Sequence, residues 1–270
     1  MRSEELITNL KENALNIRKN IIEMVYEASS GHPGGALSIA DIMAALYFEE
    51  LNIETPKEER DRLVLSKGHC CAALYGALAE KGIIPKEDLK TFRNINSYLQ
   101  GHPDMKHTPG VDMTTGSLGQ GLSAANGMAL AGKLDSKNYR VYCICGDGEI
   151  EEGQIWEAAM TSSHYKLDNL CVIVDNNNLQ IDGEISNVMS PYPIDKKFES
   201  FGFNVINIDG HNFEEILDAF DKAKMTKGMP TAIIAKTIKG KGVSFMEDKA
   251  EWHGKAPNEE QYNIAIDELK

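Results

Sequence analysis

Apolar residues at Leu6, Leu10, Ala14, Ile17, Ile21, Val25 and Ala28 step by three or four, the spacing of one buried helical face. The run Ser29-Ser30-Gly31-His32-Pro33-Gly34-Gly35 breaks that helix, because glycine and proline both disfavour its continuation. A second helix is expected to restart at Ser38, which with Asp41 forms an S-x-x-D capping pattern ahead of apolar residues through Tyr47. Residues 62–66 read as a short strand, followed by a Gly-His turn and a helix through Ala79 that Gly82 would end. The segment 101–117, GHPDMKHTPGVDMTTGS, holds too many turn formers for regular structure. Residues 118–134 resume a helix rich in alanine and glycine, suited to close packing either on its own sheet or on a second subunit.

From residue 139 the pattern changes to short apolar runs alternating with helical ones: YRVYCIC, EIEEGQIWEAAMTSSHY, NLCVIVD, FNVINI, EEILDAFDKAK and TAIIAK. Continuous apolar strands separated by amphipathic helices are the mark of right-handed βαβ units. The expected fold is α/β, a doubly wound parallel sheet covered by helices on both faces. One domain over residues 1–270 is expected, ending after about residue 237 in an extension of loop and one short helix.

Composition narrows the partners. Lys and Arg total 28 against 41 Asp and Glu, so the net charge is 28 − 41 = −13, which argues against nucleic acid and anionic membrane surfaces. The amino terminus is charged and amphipathic, and nowhere do roughly eighteen apolar residues run together, so a cytoplasmic protein is expected. Five cysteines without repeated CxxC spacing read as core thiols, with Cys143 and Cys145 on one face of a strand.

In a parallel sheet, ligands sit at the carboxyl ends of the strands. One strand runs directly into Gly146-Asp147-Gly148 and another into Asn176-Asn177-Asn178, with 176 − 149 = 27 residues between them, about one helix plus one strand. Both turns should therefore lie side by side. A diphosphate with a bound Mg²⁺ needs oxygen ligands, close backbone approach and a helix start facing it. Asp147 offers a carboxylate, Asn177 an amide oxygen, and Gly146 and Gly148 flank the aspartate. The competing dinucleotide fingerprint G-x-G-x-x-G needs glycine at 151, where this chain has Glu151, and the acidic turn would repel a metal-free pyrophosphate.

The GDG followed by paired asparagines resembles the thiamine-diphosphate fingerprint. SGHPGG at 30–35, SKGHCCAALY at 66–75, GHPD at 101–104, TTGSLGQGLSAANGMAL at 114–130, GDGEIEEGQIWEAA at 146–159, DNNNLQIDG at 175–183 and KTIKGKG at 236–242 narrow it. These seven motifs occur in the order seen in transketolases, and the resemblance runs through essentially the whole chain. It implies the diphosphate-binding domain of the thiamine-diphosphate-binding fold, with thiamine diphosphate and Mg²⁺ or Ca²⁺ as cofactors. Asp147, Asn177 and the carbonyl of Leu179 would bind the metal, and Gly148 would let the diphosphate approach. His69 and His253 would lie beside the diphosphate and reaction centre, Gly116, Ser117 and Leu118 along the aminopyrimidine ring, and Ile181 and Ile238 against the cofactor. His32 and His102 would contact the ketose and move protons, while Glu152 would be a carboxylate buried near a subunit interface. Glu149 and Glu151 have no such match and read as solvated acids at a helix start.

The implied activity is transfer of a two-carbon ketol unit from a ketose phosphate to an aldose phosphate, in the pentose phosphate pathway. The family's pyrimidine-binding and C-terminal domains are absent from these residues, and with them a catalytic glutamate and the arginines that hold the substrate phosphate. The chain is therefore expected to be inactive alone and to need a C-terminal transketolase subunit, in a two-plus-two heterotetramer. Two further readings stay open: one chain of another ketol-transferring thiamine-diphosphate enzyme, and a non-catalytic cofactor-binding partner.

Overall fold

The computed structural model describes residues 2–270. Helix α1, Glu4–Glu27, starts where the Ser3 side chain accepts the Leu6 N–H, and buries the expected face of Leu10, Ala14, Ile17, Ile21 and Val25. The next helix begins earlier than the capping pattern suggests. Proline at the first helical position opens α2, Pro33–Ser38, and after a kink at Ile39 the chain continues as α3, Ala40–Ala45, and a π-turn over Leu46–Glu50. Ser38 thus ends a helix where a cap was expected, and its hydroxyl is used elsewhere.

Strand β1, Arg62–Leu65, leads into α4, Cys71–Glu80, and residues 101–117 form the expected irregular loop. Helix α5, Gln120–Leu134, is followed by β2, Val141–Gly146. A single 3₁₀ turn at Glu149–Glu151 precedes α6, Gly153–His164, and β3 is Leu170–Asn176. Residues 177–201, for which the apolar pattern gave no element, hold a small hairpin, β4 Leu179–Gln180 and β5 Gly183–Glu184, then α7, Ile185–Val188, and α8, Ile194–Ser200. Strand β6, Asn204–Asp209, helix α9, Phe213–Met225, strand β7, Thr231–Lys236, and helix α10, Glu259–Glu268, complete the chain.

Five strands form one parallel sheet in the order β1-β2-β3-β7-β6. Alternate strand residues feed two cores. Tyr142, Ile144, Cys171, Ile173, Ile233 and Ala235 meet α1 to α4, α9 and α10, whereas Val141, Cys143, Cys145, Val172, Val174, Ala232 and Ile234 meet α5, α6 and α8. Both faces are covered, as a doubly wound sheet requires. All five cysteines are buried and free, and Cys143 and Cys145 share a face with their sulfurs 3.8 Å apart. Among the described residues no helix is long and apolar enough to cross a membrane. Because the strands are parallel, the residues just after β1, β2, β3 and β7 gather at one edge.

Helix α5 lies hard against the end of β1. A Cβ on Gly121 would sit 2.5 Å from Ser66 Cβ and 2.7 Å from Ser66 Cα, while one on Gly127 would meet nothing. Gly121→Ala is expected to destabilise the chain by about 1–3 kcal/mol through overpacking. Gly127→Ala should instead stabilise it by about 1 kcal/mol through helix propensity. Urea denaturation of the two variants checks this; effects of the same sign would contradict the seating of α5.

Candidate active site

The sheet edge opens into a cleft of about 250 Å³ lined by residues that follow four different strands, among them Lys67, Asp147, Asn177 and Lys239. Beneath its floor lies Asp175, the fully buried last acid of β3. One Asp175 oxygen accepts from Ser38 Oγ at 2.6 Å, from Asn177 Nδ2 at 2.9 Å and from the Lys67 ammonium. The other accepts from the Thr237 hydroxyl. Burial opposes the Asp175 charge, but Lys67 and these hydrogen bonds hold its carboxyl below the usual range. Lys67 also donates to the Gly35 carbonyl at 2.8 Å, so helix α2 is tied to the sheet edge.

Asp147 and Asn177 stand side by side, as their spacing predicts. Asp147 accepts from the Gly148 and Asn178 backbone N–H groups at 2.9 and 2.5 Å, and Asn177 Oδ1 accepts from Leu179 N at 3.1 Å. Burial, and then the charge of Asp175, push the Asp147 carboxyl up to about 7, so this acid lacks full compensation by positive charge. The Leu179 carbonyl accepts from Lys239 Nζ at 3.2 Å, which places a cation where the backbone oxygen would meet a metal. One carboxylate, one amide oxygen and one backbone carbonyl suit a hard divalent cation that completes its shell with phosphate and water oxygens. Among the described residues no group of three or more His, Cys, Asp or Glu could hold a metal, so a cage of such side chains is not the form this site would take.

Three histidines converge on the same cleft. His32, His69 and His253 have ring centroids 5.1 to 5.4 Å apart. Burial first, and then the nearby cations, joined for His32 and His253 by neighbouring histidines, pull His32 and His69 down to about 4 and His253 to about 3. All three are therefore neutral near pH 7, able to accept or donate a proton. His102 packs on Gly116, where φ is +146° and a Cβ would meet the imidazole at 2.8 Å, so glycine is required there. Arg93 stands beside His32, with Nη2 3.4 Å from His32 Nδ1 and Nη1 2.8 Å from Ser30 Oγ.

Leu118 and Ile181 expose apolar surface at the mouth of the cleft, 37% and 67% accessible. Ser117 and Glu152 are exposed outside its lining, and Ile238 lines a neighbouring cleft with His211. Glu149 corrects the expectation of a solvated acid: it is 3% exposed and accepts from the Ser66 hydroxyl and, at 3.0 Å each, from Gly119 N and Gly146 N. An acid at a helix start is usually placed by the dipole, and here three donors override that. Sequence reasoning also left Lys67, Asp175, Lys239 and Arg93 without roles. Asp175 lies in the last two residues of β3, and Lys67 and Lys239 follow β1 and β7 by two and three residues; that position was the available signal.

A doubly wound sheet with Gly-Asp-Gly and Asn-Asn turns flanking one cleft at its carboxyl edge defines a diphosphate-binding α/β domain. The chain belongs to the transketolase family: residues 10–268 match the family described as transketolase, thiamine diphosphate binding domain. It is 47% identical over 99% of its length to a 6-deoxy-6-sulfo-D-fructose transketolase subunit SqwG of Clostridium sp., covering 98% of that protein. It is 45% identical over 93% of its length to one of the subunits of the apulose-4-phosphate transketolase of Phocaeicola vulgatus, covering 90% of it. The crystal structure of a Campylobacter jejuni transketolase superposes with a TM-score of 0.91 at 37% identity, over 100% of this chain and 43% of that one. The chain thus spans nearly all of the subunits it resembles and less than half of that solved transketolase.

Because the three cleft histidines are held below the 6.5 of an ordinary histidine, the folded chain binds fewer protons here than the unfolded chain. The stability this confers is present above about pH 6.5 and is lost as pH falls toward about 4. Urea titrations across that range should show the loss, and His69→Gln should flatten the slope. A pH dependence left unchanged by His69→Gln would contradict the neutral cluster.

Proposed function

We propose that this chain is the cofactor-binding subunit of a two-polypeptide transketolase, active with a partner that carries the pyrimidine-binding domain. The observation that carries the reading is the meeting of Asp147, Asn177 and the Leu179 carbonyl with His32, His69 and His253 in one cleft. Asp147, Asn177 and Leu179 hold Mg²⁺ or Ca²⁺, and Lys239 adds positive charge toward the diphosphate. Gly146 and Gly148 let the backbone come close, while Leu118 and Ile181 present apolar surface to the rings. When bound, thiamine diphosphate supplies the nucleophilic carbon and the electron sink. His32, His69 and His253, being neutral, exchange protons with the hydroxyls of the sugar, and His102 orients it from behind Gly116.

The donor is a ketose with an anionic group at its far end, in keeping with the sulfo and phosphate groups in the relatives' names. A cytoplasmic setting fits the five unpaired cysteines. Asp147→Ala is expected to abolish thiamine diphosphate binding to the assembled enzyme, as a chelator should for the wild type. Isothermal titration reads both, and unchanged affinity in the variant would sink the metal assignment.

Two copies of this chain with two of the partner form the enzyme, with the cofactor between unlike chains. The outer face of α5, which carries Gly127 and Ala131, is exposed in this chain and fits close contact between subunits. Light scattering of the mixed chains should give twice the sum of their masses, and Gly127→Leu should lower that mass while leaving the single chain folded and at least as stable as the wild type. Full activity of this chain as a monomer would overturn the assembly.

A further inference from the structure

His211 lies outside the cleft, in the turn after β6, yet it is tied to the loop that supplies Lys239. Its Nδ1 is 2.7 Å from Asp41 Oδ2, and the Ile238 backbone N–H donates to its Nε2 at 2.9 Å. A backbone N–H can only donate, so Nε2 is the bare nitrogen and Nδ1 carries the proton toward Asp41. Burial opposes the Asp41 charge, but His211 and Arg18 hold its carboxyl below the usual value, which keeps it an acceptor. Arg18 grips the same carboxylate with both terminal nitrogens, at 3.0 and 2.5 Å, and its Nε donates to the Lys241 carbonyl at 3.1 Å. The peptide groups held in this way, Ile238 N–H and Lys241 C=O, bracket Lys239 in the chain.

Lys239 itself is 2% exposed and reaches 3.0 Å from His253 Nδ1 and 3.2 Å from the Leu179 carbonyl. A long lysine stem has many rotamers, so its ammonium is fixed only if the backbone that bears it is fixed. Gly240 N–H bonds the Gly34 carbonyl at 2.9 Å and closes the third side of the loop. We propose that His211 is a positioning residue: anchored by Asp41 and Arg18, it holds the backbone at Ile238 and so sets the Lys239 ammonium in the cleft. This rests on the reading of the cleft as a diphosphate site only for its effect on affinity.

Two substitutions separate the contacts. A glutamine at 211 reaches far enough to offer an acceptor to Ile238 N–H, whereas an asparagine reaches only as far as the Asp41 contact. In the cofactor-free chain, His211→Asn should speed hydrogen exchange at Ile238 by about tenfold or more and move the Lys239 13Cε resonance, while His211→Gln should do neither. With its partner, Mg²⁺ and thiamine diphosphate, His211→Asn should weaken cofactor binding about tenfold, and the loss should vanish in a Lys239→Met background. An equal loss with and without Lys239, or identical behaviour of the asparagine and glutamine variants, would overturn the proposal. The exchange and resonance data decide it even if the wild type binds no thiamine diphosphate, a result that would sink the functional reading alone.

Discussion

The buried Asp175 carboxylate is the constraint on which the site depends. Four donors from four places in the chain converge on it: Ser38 at the end of α2, Lys67 after β1, Asn177 after β3 and Thr237 after β7. An ionised carboxylate without partners could not remain in this interior. Meeting its need therefore brings the end of α2, two strand ends and the Lys239 loop into register. The folded carboxyl lies below its usual value and Lys67 above its own, so the pair stays charged through neutral pH. It loosens when acid protonates the aspartate or when strong alkali removes the lysine proton.

Above that anchor, the charges of the cleft are unbalanced in a way that suits a bound anion with its metal. Asp147 is raised because burial and Asp175 both oppose its charge, and Lys239 is lowered first by burial and further by Lys67. A divalent cation would relieve the first, and a diphosphate would relieve the second. The neutral histidines follow from the same setting: burial disfavours their charged forms first, and the Lys67 and Lys239 ammonium groups disfavour a further positive charge.

The sheet was legible in the sequence because both of its faces are buried, which leaves unbroken apolar strands such as NLCVIVD. The Asp147 and Asn177 pair was legible because parallel topology turns a sequence interval into adjacency. Other features depend on tertiary contacts with no local signature. Ser38 follows the capping pattern, yet its hydroxyl serves Asp175, and the helix starts at Pro33. Glu149 looks like any acid at a helix start until Ser66, Gly119 and Gly146 surround it. Lys239 sits among loop lysines, and only the fold turns it inward while Lys236 stays exposed. The hairpin and helices at 179–200 carry no apolar period, since only Leu179, Gln180 and Ile181 of them line the cleft and few of their residues are buried.

The most direct test of the central claim, that this edge of the sheet holds a diphosphate through a metal ion, is crystallographic. Crystals of the assembled chains grown with Mn²⁺ and thiamine diphosphate would be measured at the manganese absorption edge. An anomalous peak is expected about 2.0–2.3 Å from the Asp147 carboxylate, Asn177 Oδ1 and the Leu179 carbonyl oxygen, in contact with the diphosphate. Cofactor bound with no peak there, or with the metal held by other residues, would contradict it.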